Sequence, residues 1–151
     1  MSNTQAMCTS FKGEILTATH NFGTAPTRGT SAADTFKAAL YLASATVNAG
    51  TTAYSATGEV TGTNYSPGGV TVTNATAPAT SGTTAYWTPS ASIVYTNVTL
   101  TTAFDAVLIY NSTQSNKAVS VHTFGSQTVT AGTFTLTMPT NAAGTALLNI
   151  A

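Results

Sequence analysis

The chain has 151 residues, 42% of them apolar and only 5% charged, with four Lys and Arg balanced by four Asp and Glu. The length suits one domain with its own core, and the apolar share excludes a disordered tract. A charge content far below the roughly one quarter of an ordinary domain leaves Thr, Ser, Asn and Gly to wet the surface.

So little charge does not keep copies apart, so the chain is expected to live packed against other chains. Lys12, Arg28, Lys37 and Lys117 are the whole cationic inventory and do not cluster, which argues against a nucleic-acid partner. A single cysteine, Cys8, excludes an intramolecular disulfide and a multi-cysteine zinc site, and is expected as a buried small hydrophobe.

Met1 to Met7 lacks the basic start and apolar stretch of a secretory leader, so synthesis in the cytoplasm is expected. Ser10 to Asn21 reads as the one helix, with Phe11, Ile15, Leu16 and Thr19 on one stripe and Ser10 as its cap. Thr24 to Ala33, broken by Pro26 and Gly29, reads as an irregular connection.

Beyond Asp34 the apolar period becomes two. Phe36, Ala38, Leu40 and Leu42 fall on one face of a strand, with Lys37, Ala39 and Tyr41 on the other. Val70 to Thr73, Val94 with Val98 and Leu100, Val119 with Val121, and Thr133 to Pro139 continue the pattern, apolar inward and Thr outward. Ala106 to Tyr110 is apolar on both faces, which favours burial within the fold over contact with another subunit.

Turns are expected at Ala49-Gly50, Gly58, Ser66 to Gly69, Ser81-Gly82, Gly125-Ser126, Ala131-Gly132 and Ala143-Gly144. This pattern predicts an all-β jelly-roll or β-sandwich with one short N-terminal helix. Residues 1–33 form an arm and 34–151 the β domain of a single-domain chain. The apolar runs fall far short of the roughly 18 residues of a membrane span, so no membrane partner is expected.

Chemistry is sparsely provided. Glu14, Asp34, Glu59 and Asp105 are dispersed, His20 and His122 are the only imidazoles, and no nucleophile elbow, phosphate loop or dinucleotide fingerprint is present. No catalytic residue, cofactor or metal is therefore expected, and His20 is expected to help terminate the helix. The sequons at Asn64, Asn74, Asn97 and Asn111 follow from the abundance of Asn, Ser and Thr. Tyr86-Trp87, with Tyr54, Tyr65, Tyr95 and Tyr110, offers either core filling or an exposed aromatic platform for sugars or proteins.

Several strings carry a resemblance. They are Phe11-Lys12 through His20-Asn21-Phe22; Thr35-Phe36-Lys37-Ala38-Ala39-Leu40-Tyr41; Thr52-Ala53-Tyr54 leading to Glu59-Val60; and the turn from Tyr65 to Gly69. Leu108-Ile109-Tyr110-Asn111-Ser112, Asn116-Lys117-Ala118-Val119 and Gly132-Thr133-Phe134-Thr135-Leu136 follow in the same order. Together they resemble a family of small virion proteins of tailed bacteriophages, departing from it around Thr102 to Asp105, where a basic residue would be expected.

The resemblance implies a non-enzymatic decoration or cement protein on the outside of the phage head. Its partners would be the major capsid protein and copies of itself, as a dimer or trimer. A tail or fibre component and a carbohydrate-binding adhesin are the alternatives. The contact residues expected are Phe11, Ile15, Leu16 and Phe22 of the N-terminal segment, with Tyr65 and Trp87 as aromatic anchors.

Overall fold

The computed structural model describes residues 2–16, 19–22, 33–74 and 76–151, the side chains of Lys12, Gly13 and Leu16 excepted. Strands β1 (Ala6–Met7), β2 (Phe36–Leu42), β3 (Val70–Thr71), β6 (Ile93–Asn111) and β7 (Lys117–Leu136) form a five-stranded antiparallel sheet in the order β1-β7-β6-β2-β3. A second antiparallel sheet, in the order β4-β5-β8, holds β4 (Ala79–Ser81), β5 (Thr84–Trp87) and β8 (Leu148–Ile150). Helix α1 spans Thr9–Leu16. The fold is all-β and sandwich-like, as the alternating pattern predicts.

The expected strands fall in these elements, and both faces of the central ones are covered. Phe36, Ala38 and Leu40 of β2 are buried on one face, Ala39 and Tyr41 on the other. Ala106 to Tyr110 is buried throughout, flanked by β2 and β7. Continuous apolar character here reflects a central strand.

The sequence reading is corrected at four points. Gly125-Ser126 and Ala131-Gly132 are not turns, because both lie inside the unbroken β7. The ladder with β6 absorbs them as register shifts, with Ala131 in the left-handed region at φ 45°. The real turn between the two long strands uses Ser115 (φ 53°) and Asn116 (φ 59°), where no glycine marks it.

Val94 does not share the buried face of Val98 and Leu100. It is 41% exposed, because a shift between Tyr95 and Val98 inverts the inside–outside phase. Ser10 is no cap: it lies within α1, and its hydroxyl is buried without a hydrogen-bond partner. The helix is also shorter than expected, since Thr19 to Phe22 is not helical.

Aromatic residues join the layers. Phe22 stacks on Phe36 at 4.4 Å between ring centroids and meets Trp87 at 4.7 Å, linking the N-terminal segment to both sheets. The N-terminal segment also ties down elsewhere. Asn3 donates to Leu42 O and to Asp105 and accepts from Val47 N, and Thr9 N donates to Ala49 O at 2.8 Å.

Candidate functional site at the helix–sheet junction

Helix α1 begins where Cys8 N donates to Val119 O at 3.0 Å, which sets the helix against β7. Phe11 and Glu14, one turn apart, then face the sheet together. The chain folds back as Thr19 N donates to Glu14 O at 3.0 Å, bringing His20 beside the Glu14 carboxylate.

A continuous polar chain results. Lys117 Nζ meets Glu14 Oε1 at 2.5 Å, and His20 Nε2 meets Glu14 Oε2 at 2.7 Å. Asn111 Nδ2 reaches His20 Nδ1 at 3.0 Å and Asp34 Oδ2 at 2.8 Å. The Asn111 amide is oriented by its own Oδ1, which accepts from Thr113 N and Gln114 N. Its nitrogen can only donate, so His20 Nδ1 accepts and the ring proton sits on Nε2, facing Glu14. Asp34 accepts further from Asn21 N at 2.9 Å and Gln114 Nε2 at 3.1 Å.

The His20 side chain is 1% exposed, with Phe11 edge-on at 4.8 Å. Burial lowers its pKa against the opposing pull of Glu14, which keeps the imidazole neutral. Burial alone would raise the Glu14 carboxyl, but hydrogen bonds from Lys117 and His20 outweigh it and hold the group ionised below the usual range. A carboxylate–imidazole pair is the arrangement of general acid–base chemistry. Here both ring nitrogens are engaged within the chain. Burial, then the Glu14 charge, pushes the nearby Cys8 thiol up to about 11. The geometry makes the network a clamp holding the N-terminal segment on the sheet.

A second buried carboxylate organises the opposite face. Glu59 accepts from Tyr54 Oη at 2.6 Å, Tyr65 Oη at 2.8 Å and Gly68 N at 2.8 Å, while Tyr65 Oη accepts from Leu40 N at 3.0 Å. Tyr110 donates to Gly68 O and Tyr95 to Ala38 O, both at 2.8 Å. Burial foremost raises these phenols, Tyr41 and Tyr110 to about 12, so they stay protonated and donate. Tyr54 stacks on Tyr110 at 4.8 Å and Tyr65 on Tyr95 at 5.9 Å, so most of the residues of the possible platform are turned inward.

The expected contact residues are dispersed. Phe11, Tyr65 and Trp87 are buried in this chain, Trp87 Nε1 donating to Thr76 O at 2.9 Å. Phe22 is half-buried between Phe36 and Trp87. Ile15 is 38% exposed, and the Leu16 side chain lies outside the described residues.

The sequons do structural work as well. Asn111 is fully buried, Asn74 Nδ2 donates to Asp34 O, and Asn64 Nδ2 donates to Asn97 O at 2.8 Å. The networks around Asn111 and Glu59 escaped sequence reasoning. The available signal was that a chain with so few carboxylates places Asp34 and Glu59 beside apolar segments.

Among the described residues, no three His, Cys, Asp or Glu side chains converge as metal ligands. No protein-family model, curated protein or solved structure matches this chain.

Proposed function

We propose that the chain is a non-enzymatic structural protein of a tailed-phage virion, a decoration or cement protein that bridges major capsid protein subunits on the outside of the head. The observation that carries this reading is the fate of the carboxylates. All four are consumed inside the chain: Glu14 by Lys117 and His20, Asp34 by Asn111 and Gln114, Glu59 by two tyrosines, and Asp105 by Asn3. No side-chain carboxylate is left unpaired, and beside the cations Lys12, Arg28 and Lys37 the chain has hydroxyls, amides and apolar groups to offer a neighbour. Such a surface can be covered by a neighbour without stripping water from an unpaired carboxylate.

The sequence strings that resemble small phage virion proteins support the same assignment. A rigid sandwich straddling the seam between two shell subunits buries surface on both sides. When the decorating unit is itself an oligomer, effective concentration turns weak single contacts into durable attachment.

The test is the copy number per purified virion, by quantitative mass spectrometry against the major shell protein. A number near that of the shell is the expected result. A handful of copies would move the chain to the tail or fibre, and absence from particles would overturn the virion reading. The adhesin alternative loses support from the inward stacking of Tyr54, Tyr65, Tyr95 and Tyr110, and a glycan array is expected to stay blank.

A further inference from the structure

The two edges of the large sheet are treated differently. On the β2 side, β3 pairs with Lys37 and Ala38, and Val60 N donates to Leu40 O, so most of that edge is occupied. On the β7 side, β1 covers only Ser120 and Val121. Among the described residues no strand pairs with the outer side of Phe124 to Leu136. This stretch has no ionisable residue and no proline, the usual protectors of an exposed edge.

Most of the open edge is kinked by register shifts. From Phe134 to Leu136, however, β7 pairs in unbroken register with Tyr95, Val94 and Ile93. The sequence there, Thr133-Phe134-Thr135-Leu136-Thr137, is a palindrome in character. Thr133, Thr135 and Thr137 are exposed, and Phe134 and Leu136 are half-buried. A two-fold axis through Thr135 would set Thr133 opposite Thr137 and Phe134 opposite Leu136, Thr on Thr and apolar on apolar. Pro139 ends the pairing surface just beyond.

We propose that β7 pairs antiparallel with β7 of a second copy, centred on Thr135, to form one sheet continuous across a two-fold dimer. Self-complementarity selects a copy of this chain as the occupant, because a two-fold contact requires each residue row to match its own reverse. The absence of charge removes the repulsion that would otherwise oppose it. The inference deepens the decoration-protein reading by naming the contact that makes the unit an oligomer. It is tested on purified protein alone, so its failure leaves the copy-number experiment standing.

The experiment is sedimentation equilibrium of the full chain and of Thr135→Lys at micromolar concentrations. Hydrogen exchange of the wild-type amides from Thr133 to Thr137 is followed as concentration rises. The wild type is expected at twice its 15.3 kDa mass, with every second one of those amides, those pointing away from β6, gaining protection on association. Thr135→Lys places two like charges across the axis and is expected to weaken association by roughly tenfold or more, with Trp87 emission unchanged. A monomeric or trimeric wild type overturns the proposal. So does a dimer that leaves these amides unprotected, or a folded lysine variant that associates as tightly. Should the variant not fold, the wild-type exchange pattern decides.

Discussion

Glu59 collects two phenols and a backbone amide, so its removal strands the buried Tyr65 and Gly68 donors and the half-buried Tyr54 hydroxyl at once. Glu59→Ala is expected to cost about 3 kcal/mol, because unsatisfied buried donors carry their full desolvation penalty. Urea denaturation followed by Trp87 fluorescence measures this. Gly69 is a sharper case. Its φ is +70°, and an added Cβ would lie 1.7 Å from Ala38 O, a backbone atom that cannot move aside. Gly69→Ala is expected to lose at least about 2 kcal/mol on the same assay.

His122 makes stability depend on pH. Burial among Ile93, Val107, Ile109, Phe124 and Leu147 lowers its pKa from 6.5 to about 4, with the Ser120 hydroxyl at 2.9 Å as a polar neighbour. The unfolded chain therefore takes up a proton that the folded chain refuses. The contribution is whole above pH 6.5 and is lost as pH falls toward 4. The loss is at most about 3 kcal/mol, reduced by the partial exposure of the ring. His20 shifts in the same direction, so the difference between wild type and His122→Phe isolates His122, and an identical pH dependence in the two would refute the assignment.

At the scale of elements, the N-terminal segment is part of the fold. Deleting residues 1–22 removes Phe11 and Phe22 from the aromatic stack, Glu14 and His20 from the polar chain, and β1 from the sheet. The expected outcome is loss of cooperative thermal unfolding with a red-shifted Trp87, and a cooperative melt would show the segment to be an appendage.

Elements were legible in the sequence where pattern and packing agree. The alternation of β2 and the apolar run from Ala106 to Tyr110 reflect burial that no neighbour contradicts. They were illegible where a partner strand overrides local preference. Gly125-Ser126 and Ala131-Gly132 look like turns to any local reading, yet β6 holds them in a ladder through register shifts. Asn64 and Asn97 take positive φ without glycine. The polar chain from Lys117 to Asp34 joins residues up to 103 positions apart, as in the pair Lys117–Glu14, a separation on which periodicity is silent.

For the whole molecule, inward use of carboxylates sets how attachment should respond to salt. If the contact with the shell is made by hydroxyls and methyl groups, raising ionic strength to about 1 M, where screening acts over about 3 Å, should change binding to stripped heads by less than about threefold. Release by salt would instead implicate Lys12, Arg28 or Lys37. Co-sedimentation of purified chain with heads at stepped salt concentrations separates the two outcomes.

The long β6–β7 hairpin also sets an order of events. Its 19- and 20-residue strands meet at the turn around Asn116, and their far ends are Ile93 and Leu136. Pairing that starts at the turn closes the shortest loops first and zips outward. The register shifts near Leu100 and Val98 must be settled before Val94 and Thr135 can align. A dimer joined along the far end of the hairpin, as proposed above, would therefore form only after that register is settled. In such a dimer the hairpin would act as a timer that holds back assembly until folding is done.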